Sequence, residues 1–341
     1  MKPFIHYCIV ACILPGLMGS MVNAREIIDM AGRKVSIPET INKIYAPSPY
    51  GALMLYSVAP EKLAGLMFPI KAEDKKYLDP VVYHLPVIGR INNTQAILDA
   101  SPDLLVIWTD TSHPIHQKSE NLMQCMNLPY VYVGATDLAD LHDYPACYEF
   151  LGKLLGKEEH TSRQSAYCRK VLDKVEKVVR TIPKEKRPKV YLAEGEDGLC
   201  TECDESLHVH LFRLAGDVNV HRCHTSCHKG LEKVSLDQVK AYDPDVIFVQ
   251  NKTFFGNVYQ NPEWREIEAV RNNRVYLIPP TPFNWFDRPP SFMRILGLQW
   301  VMTCVYPGEY GTDIVQEGVE FFKLFLHVTV SPEDIRRIVS Q

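Results

Sequence analysis

One pattern recurs in both halves of the chain and limits the fold more than any other. Gln95-Ala-Ile-Leu-Asp-Ala-Ser-Pro102-Asp103 runs into Leu104-Leu-Val-Ile-Trp108, and Asp237-Gln-Val-Lys-Ala-Tyr-Asp-Pro244-Asp245 runs into Val246-Ile-Phe-Val249. Each unit reads as a short helix, a Pro-Asp break and an uninterrupted apolar strand. Proline cannot continue the helix, and the residue before it is pushed toward extended backbone. A strand without polar alternation suits a parallel sheet covered on both faces. Any α/β protein contains such units, but the matched Pro-Asp spacing favours a duplicated lobe.

Other apolar runs fit the same scheme. They lie at Lys43–Ala46, Leu63–Phe68 and Tyr130–Val133 in the first half, and at Lys189–Ala193 and Arg274–Ile278 in the second. All are separated by polar, helix-compatible stretches. Between the halves, from about Glu158 to Ile182, Tyr167, Val171, Leu172, Val175, Val178, Val179 and Ile182 form one stripe at helical spacing, with no Pro or Gly before Pro183. Such a helix spans roughly 37 Å at 1.5 Å per residue. Joining two lobes, it would be a stiff rod that permits small relative motion; packed inside one domain, it would be an ordinary core helix. The expected fold class is α/β, with two Rossmann-like lobes of mainly parallel sheet (25–157 and 184–341) bridged by a single long α-helix (158–183). At the C-terminus, Ser331-Pro332-Glu333-Asp334 carries the capping serine, proline and acids of a helix start.

The first 24 residues read as a signal peptide. Lys2 precedes an apolar stretch from Tyr7 to Met18, and Val22-Asn23-Ala24 offers small residues for cleavage. The apolar stretch is shorter than the roughly 20 residues of a transmembrane helix. Export to the periplasm is therefore expected. Ile9-Val10-Ala11-Cys12 stands too early for a lipoprotein box, so no lipid anchor is expected. The formal net charge of −4 gives no electrostatic reason to bind nucleic acid. Ten cysteines are present, of which Cys8 and Cys12 fall in the leader. The even remainder, in an oxidising compartment, points to disulfides.

Three segments carry candidate chemistry. The first follows a strand: Glu194-Gly195-Glu-Asp-Gly198-Leu-Cys200-Thr-Glu202-Cys203. Ligands bind at such strand ends in open α/β sheets, and the missing Gly-Lys-Ser/Thr ending excludes a phosphate loop. The second is His221-Arg222-Cys223-His224-Thr-Ser-Cys227-His228. With Cys200, Cys203, His208 and His210 it forms a patch of soft ligands. Cys223, His224, Cys227 and His228 are its metal-ligand candidates, in competition with a disulfide between the 200/203 pair and the 223/227 pair. The third runs from Pro279 to Ser291 and holds Phe283, Trp285, Phe286 and Arg288 between prolines. Aromatic faces and a guanidinium suit a flat anionic ligand, although Trp285 or Phe286 could equally plug a core. Tyr50 and Arg90 follow strands of the first half. The candidate ligand contacts are thus Tyr50, Arg90, Glu194, Arg222, Trp285 and Arg288. No catalytic residue set is present: there is no Gly-x-Ser-x-Gly, His-Glu-x-x-His or Gly-x-Gly-x-x-Gly.

The order and spacing of these pieces carry a resemblance. Ile27 to Pro38 looks like an opening hairpin, Ile88-Gly89 precedes the Gln95 helix, both Pro-Asp units follow, and Gly216-Asp-Val-Asn-Val220 and Val275-Tyr-Leu-Ile278 complete the series. Together they resemble the helical-backbone periplasmic binding proteins for iron siderophores, haem and cobalamin. The resemblance implies an ABC importer's substrate-binding component that captures a metal chelate, with a ferric siderophore or similar iron complex first. A nickel or cobalt complex, cobalamin, haem or an oxoanion is the alternative cargo. It implies an inner-membrane permease and its ATPase as partners, a monomer, no enzymatic activity, and no cofactor beyond the cargo's own transition metal. In such proteins one surface acid per lobe docks onto permease arginines; the matching positions are Gln95 and Asp237, and Gln95 departs from the usual glutamate. Some relatives complete iron coordination with a histidine, which His228 approaches, and a tyrosine, where this chain has Phe283 and Trp285. Rivals from other classes are an exported metalloenzyme or a periplasmic sensor module that uses the Cys/His patch.

Overall fold

The computed structural model describes residues 24–108, 115–134, 140–223 and 230–340. The expected leader lies outside them except for Ala24. The described chain opens with an antiparallel hairpin, β1 (Ala24–Ile28) and β2 (Lys34–Pro38). The buried Asp29 carboxylate organises its turn. It accepts from the Ala31 and Arg33 amides, pairs with the Arg33 guanidinium at 2.8 Å and accepts from the Tyr132 amide at 3.0 Å. That last bond ties the hairpin to the first lobe.

The first sheet is parallel, in the order β3 (Ile44–Tyr45), β4 (Leu104–Trp108), β5 (Tyr130–Val133). In the second lobe β6 (Lys189–Ala193) leads through β7 (Cys200–Thr201), β8 (Val218–Asn219) and β9 (Glu232–Lys233) to β10 (Val246–Val249) and β11 (Val275–Leu277). Here β11-β10-β6-β8 form a parallel sheet, and β7 pairs with β9 as a small antiparallel ribbon. The helices are α1 (Pro49–Val58), α2 (Thr94–Ala100), α3 (Ile115–Met126), α4 (Tyr144–Leu155), α5 (Glu158–Thr181), α6 (His210–Ala215), α7 (Leu236–Tyr242), α8 (Lys252–Asn257), α9 (Glu268–Arg271), α10 (Arg294–Val305), α11 (Pro307–Tyr310), α12 (Ile314–Phe325) and α13 (Pro332–Val339).

The repeated unit is the same structure in each lobe. Helices α2 and α7 each end on a left-handed residue, Ser101 at φ 50 and Asp243 at φ 40. Proline then stops the helix, and the aspartate after it turns back onto the lobe's first strand. Asp103 accepts from the Asn42 and Lys43 amides at 2.7 and 2.8 Å, and Asp245 accepts from the Lys189 amide at 2.7 Å. Strands β4 and β10 are buried along their whole length, as continuous apolar runs in the middle of covered sheets should be. The run Leu63–Phe68 is the exception. It makes only single bridges, Ile44 to Leu63 and Leu66 to Val87. Gly65 brings the chain so close that a Cβ would stand 2.7 Å from the Pro86 carbonyl, which suits a close crossing better than a ladder.

Helix α5 runs unbroken for 24 residues and buries Tyr167, Cys168, Val171, Leu172 and Val175. It is not a bare rod. The last helices return to the first lobe: Tyr56 donates to the Leu326 carbonyl at 2.7 Å, Tyr77 packs against Phe322, and Lys76 pairs with Asp334 at 3.2 Å. One apolar core therefore runs from α1 and α4 through α5 to α10 and α12. Helix α13 begins as its sequence announces, with Ser331 in a capping box and Pro332 in the first turn.

A packing prediction follows. Gly297 in α10 lies so close to the third cleft loop that a Cβ would fall 1.7 Å from the Trp285 carbonyl, whereas Gly256 faces open space. Gly297→Ala should lower the unfolding free energy in urea by about 1–3 kcal/mol. Gly256→Ala should leave it unchanged or slightly raised.

Candidate functional site

The carboxyl ends of both parallel sheets supply the loops that face each other. The first lobe offers Tyr50 at the start of α1, Trp108 at the end of β4, and Asp140 and Tyr144 before and in α4. The second offers Glu194 after β6, then Glu202, His208 and His210, and the segment from Pro279 to Arg294 after β11.

The two faces meet through a small set of polar contacts. Tyr50 is buried edge-on against Trp108, with ring centroids 4.6 Å apart, and 6.0 Å from Tyr144. The Tyr144 hydroxyl donates across the lobes to the Ser291 carbonyl at 3.2 Å. Arg294, 0% exposed, opens α10 and lies against that same hydroxyl. Its charge is also felt by Tyr50 and His210. Burial first, and Arg294 second, push His210 down to about 3, so the imidazole stays neutral. Its Nε2 stands 3.7 Å from Asp140, which accepts from or pairs with His142 Nδ1 at 2.8 Å.

A second polar group lies entirely in the second lobe. Arg288 Nε donates to Glu194 at 2.7 Å, and its Nη2 donates to Glu202. Glu194 is 2% exposed and Glu202 0%. Glu202 further accepts from Ser206 Oγ at 2.8 Å and the Leu231 amide at 3.0 Å. A Cβ at Gly230 would collide with its carboxylate, so only glycine fits there at φ +60. Next to this group, His208 Nδ1 pairs with Asp287. Two buried carboxylates thus share one guanidinium. Burial pushes Glu194 up to about 7 against the pull of Arg288, with Glu202 as the repelling neighbour.

The sequence-level candidates separate on this geometry. Tyr50, Glu194 and Arg288 are brought to the facing ends of the lobes. Trp285 is not, which corrects the expectation for it: it is 0% exposed, donates to the Thr281 carbonyl at 2.9 Å and packs toward Phe322. A large ring with its one polar atom satisfied gains most by complete burial, and Phe286 is buried likewise. Cys223 is not an open thiolate ligand, because it is disulfide-bonded to Cys203. Cys203, Cys223 and Glu232 do cluster, but sulfurs joined to each other cannot serve as thiolates. His224, Cys227 and His228 lie outside the described residues. Arg90 is exposed on the first lobe. Arg222 is exposed too and lines a separate cavity of about 220 Å3 along β8, with Asp204 and Asp217. Gln95 is exposed on α2 and donates to Asp99 at 2.8 Å. Asp237 is exposed on the rim of a cavity of about 450 Å3, beside Glu196, Asp197 and Glu263.

Several residues of the facing surfaces escaped the sequence reading, among them Asp140, Tyr144, Glu202 and Arg294. Glu202 stands between two cysteines that drew attention away from it. Arg294 carried a usable signal: it is the lone charge of Arg294-Ile-Leu-Gly-Leu-Gln-Trp-Val-Met302, a helix buried on all sides. A cation in such a helix has to be buried with polar partners.

The profile of the family described as "Periplasmic binding protein" matches residues 71–282. The chain belongs to the periplasmic binding protein family. Its fold and sequence also match an ABC transporter solute binding protein from Sulfurospirillum deleyianum, at 36% identity, a TM-score of 0.85, and coverage of 93% of this chain and 99% of that one. The molybdate-binding protein MolA of Haemophilus influenzae is 22% identical over 96% of this chain and 98% of its own length. The Fe(3+)-citrate-binding protein YfmC of Bacillus subtilis is 21% identical over 54% of this chain and 56% of its own. The protein is thus a periplasmic solute-binding component of an ABC transporter, and members of its family are transport proteins, not enzymes. Among the described residues no helix is long and apolar enough to cross a membrane.

Two measurements test the second lobe of this binding protein. The Cys203–Cys223 bond closes a loop with a sequence separation of 20; Cys203→Ser should remove about 3 kcal/mol of stability, and a thiol reductant should do the same to the native chain. Glu194 gives a pH signature. Its folded value of about 7 exceeds the ordinary 4.5, so the folded chain holds the extra proton between them and loses stability as pH rises through that window. The stability of the native chain minus that of Glu194→Gln, whose amide stands in for the protonated carboxyl, should fall as pH rises across that window in urea unfolding from pH 4 to 8, and flatten above it.

Proposed function

We propose that this binding protein captures a compact, metal-bearing anion and delivers it to an ABC permease, with an oxoanion such as molybdate as first candidate. The observation that carries the reading is Arg294. It is a wholly buried cation at the contact between the lobes, grouped with the Tyr144 and Tyr50 side chains and with a histidine held neutral. A guanidinium, hydroxyls and an imidazole N–H are donors suited to the oxygens of a small anion. Arg288, fixed by two glutamates, adds a second guanidinium with 30% of its side chain exposed.

In this reading the cargo keeps its own metal and is held through its oxygens. Cys203 and Cys223 are spent on each other. With Trp285 and Phe286 in the core, only the half-buried Phe283 of that loop's three aromatics is left to stack on a flat ligand, which favours a compact one. The likeness to MolA over nearly the whole chain supports the oxoanion. A ferric carboxylate complex is the second reading, supported by the shorter likeness to YfmC; it too is an anion and would use the same cations. Admission of cargo parts the Tyr144–Ser291 and Asp140–His210 contacts, and closure remakes them around it. The shared core through α5 limits this to a small opening, and the exposed Asp237 and the Gln95–Asp99 pair present the docking faces to the permease.

Calorimetric titration with molybdate, tungstate, sulfate and ferric citrate tests the proposal. Saturable binding of molybdate is expected, weakened about tenfold or more by Arg294→Lys, which keeps the charge and removes the fork. Arg90→Ala should bind like the native chain. Binding of a ferric siderophore with no response to any oxoanion would sink the reading. Native mass spectrometry of protein taken from its own periplasm names the cargo directly.

A further inference from the structure

The Cys203–Cys223 bond has a carboxylate beside it. Cys203 follows β7, Cys223 follows β8 and Glu232 opens β9. The two sulfurs and a Glu232 oxygen all lie within 4.8 Å of one another. Cys203 is 1% exposed, and the other two are half-buried. Glu232 Oε1 stands 3.8 Å from Cys223 Sγ, yet a disulfide sulfur has no proton to give it. We propose that, once the disulfide is reduced, Cys203, Cys223 and Glu232 hold a zinc ion, so that this ribbon is stapled covalently in one redox state and by metal in the other.

Bonds other than the disulfide keep these groups together. Thr201 pairs with Glu232 in the β7–β9 register. The Asp204 amide donates to the His221 carbonyl at 2.9 Å, and Asp204 Oδ1 accepts from the Cys223 amide at 3.3 Å. Opening the S–S bond therefore leaves the three ligand atoms near one another. Two thiolates and a carboxylate suit zinc better than magnesium or calcium, which take oxygen ligands. His221, 9% exposed, donates from Nε2 to Glu232 Oε2 at 2.7 Å, and the Tyr242 hydroxyl lies 3.1 Å from its Nδ1. That bond leaves Oε1 for the metal, as outer partners do for ligating carboxylates. The step needs a dithiol reductant. Its thiolate attacks one sulfur and forms a mixed disulfide. Its second thiol resolves this, which leaves the reductant as a disulfide and Cys203 and Cys223 as thiols. Zinc then displaces both thiol protons to water. The site uses neither Arg294 nor Arg288, so it does not depend on which anion the protein carries.

The test is a titration of the full mature chain with zinc sulfate against a chromogenic chelator, before and after reduction by a phosphine. The reduced chain should take up one zinc ion at this site, and the oxidised chain should bind zinc at least about tenfold more weakly. Zinc should raise the melting temperature of the reduced chain, and magnesium should not. Glu232→Gln should weaken zinc binding about tenfold or more. The double variant Cys203→Ser/Cys223→Ser, which keeps the free Cys125 and Cys200, should lose both the uptake and the melting shift. Equal uptake with the disulfide intact, no uptake after reduction, or uptake that survives the double serine change overturns the proposal. The comparison of oxidised with reduced protein uses the native chain, so the test stands even if the double variant misfolds.

Discussion

Two carboxylates hold the lobes in the shape on which everything else depends. Asp103 and Asp245 each follow a proline, and each accepts backbone amides from the first strand of its own lobe. These bonds satisfy N–H groups that the strand start leaves without ladder partners, and they fix β3 against β4 and β6 against β10. The strands then end level with one another, and their loops collect at one edge of each sheet. Remove this clamp and the residues that face each other across the lobes lose their common origin. Proline contributes by stopping the helix, so that the aspartate is delivered at the right place in both halves.

The facing surfaces hold more charge than a core tolerates without reason. Arg294, Glu194, Glu202 and Asp287 are all nearly or wholly buried. Taking such groups out of water is expensive unless partners replace the water. In the second lobe the partners are protein groups: Arg288 spans Glu194 and Glu202, and Asp287 holds His208. That network fixes the loops and leaves the part-exposed Arg288 as its one group open to a ligand. At the lobe contact, Arg294 lies against the Tyr144 hydroxyl and near the neutral His210. The anion reading therefore rests first on Arg294, while Glu194, Glu202, Asp287 and His208 are read as holding the loops and Arg288 in place.

The cysteine-rich stretch allowed two readings, metal ligands or a disulfide between the 200/203 and 223/227 pairs, and geometry realises the second at Cys203 and Cys223. Cysteine and histidine at metal-like spacing gave a soft-ligand patch. The same spacing serves a covalent staple, and the bond to Cys203 takes up Cys223, one of the four expected ligands. His208 and His221 pair with Asp287 and Glu232, and His210 is pressed into the lobe contact. Trp285 and Phe286 show the limit of local signals. Their segment does follow β11 and does border the facing surface, but the rings turn inward, because prolines fix the path of the chain and not the direction of each side chain.

The sequence by itself determined the α/β class, the duplicated unit, all the long parallel strands except the broken run at Leu63–Phe68, and the unbroken α5. These are written in local periodicity and in proline, whose effects reach only a few residues along the chain. It also placed the loops that bear the site, since strand ends follow from the strands. Only the tertiary structure decided which side chains of those loops are in contact with what. Arg294 reaches Tyr144 across a separation of 150 residues, and Glu202 reaches Arg288 across 86. The burial of Arg294 is hinted at by its apolar helix, but the partners of a buried charge, the pairing of two thiols and the inward turn of an indole depend on neighbours that are distant in sequence.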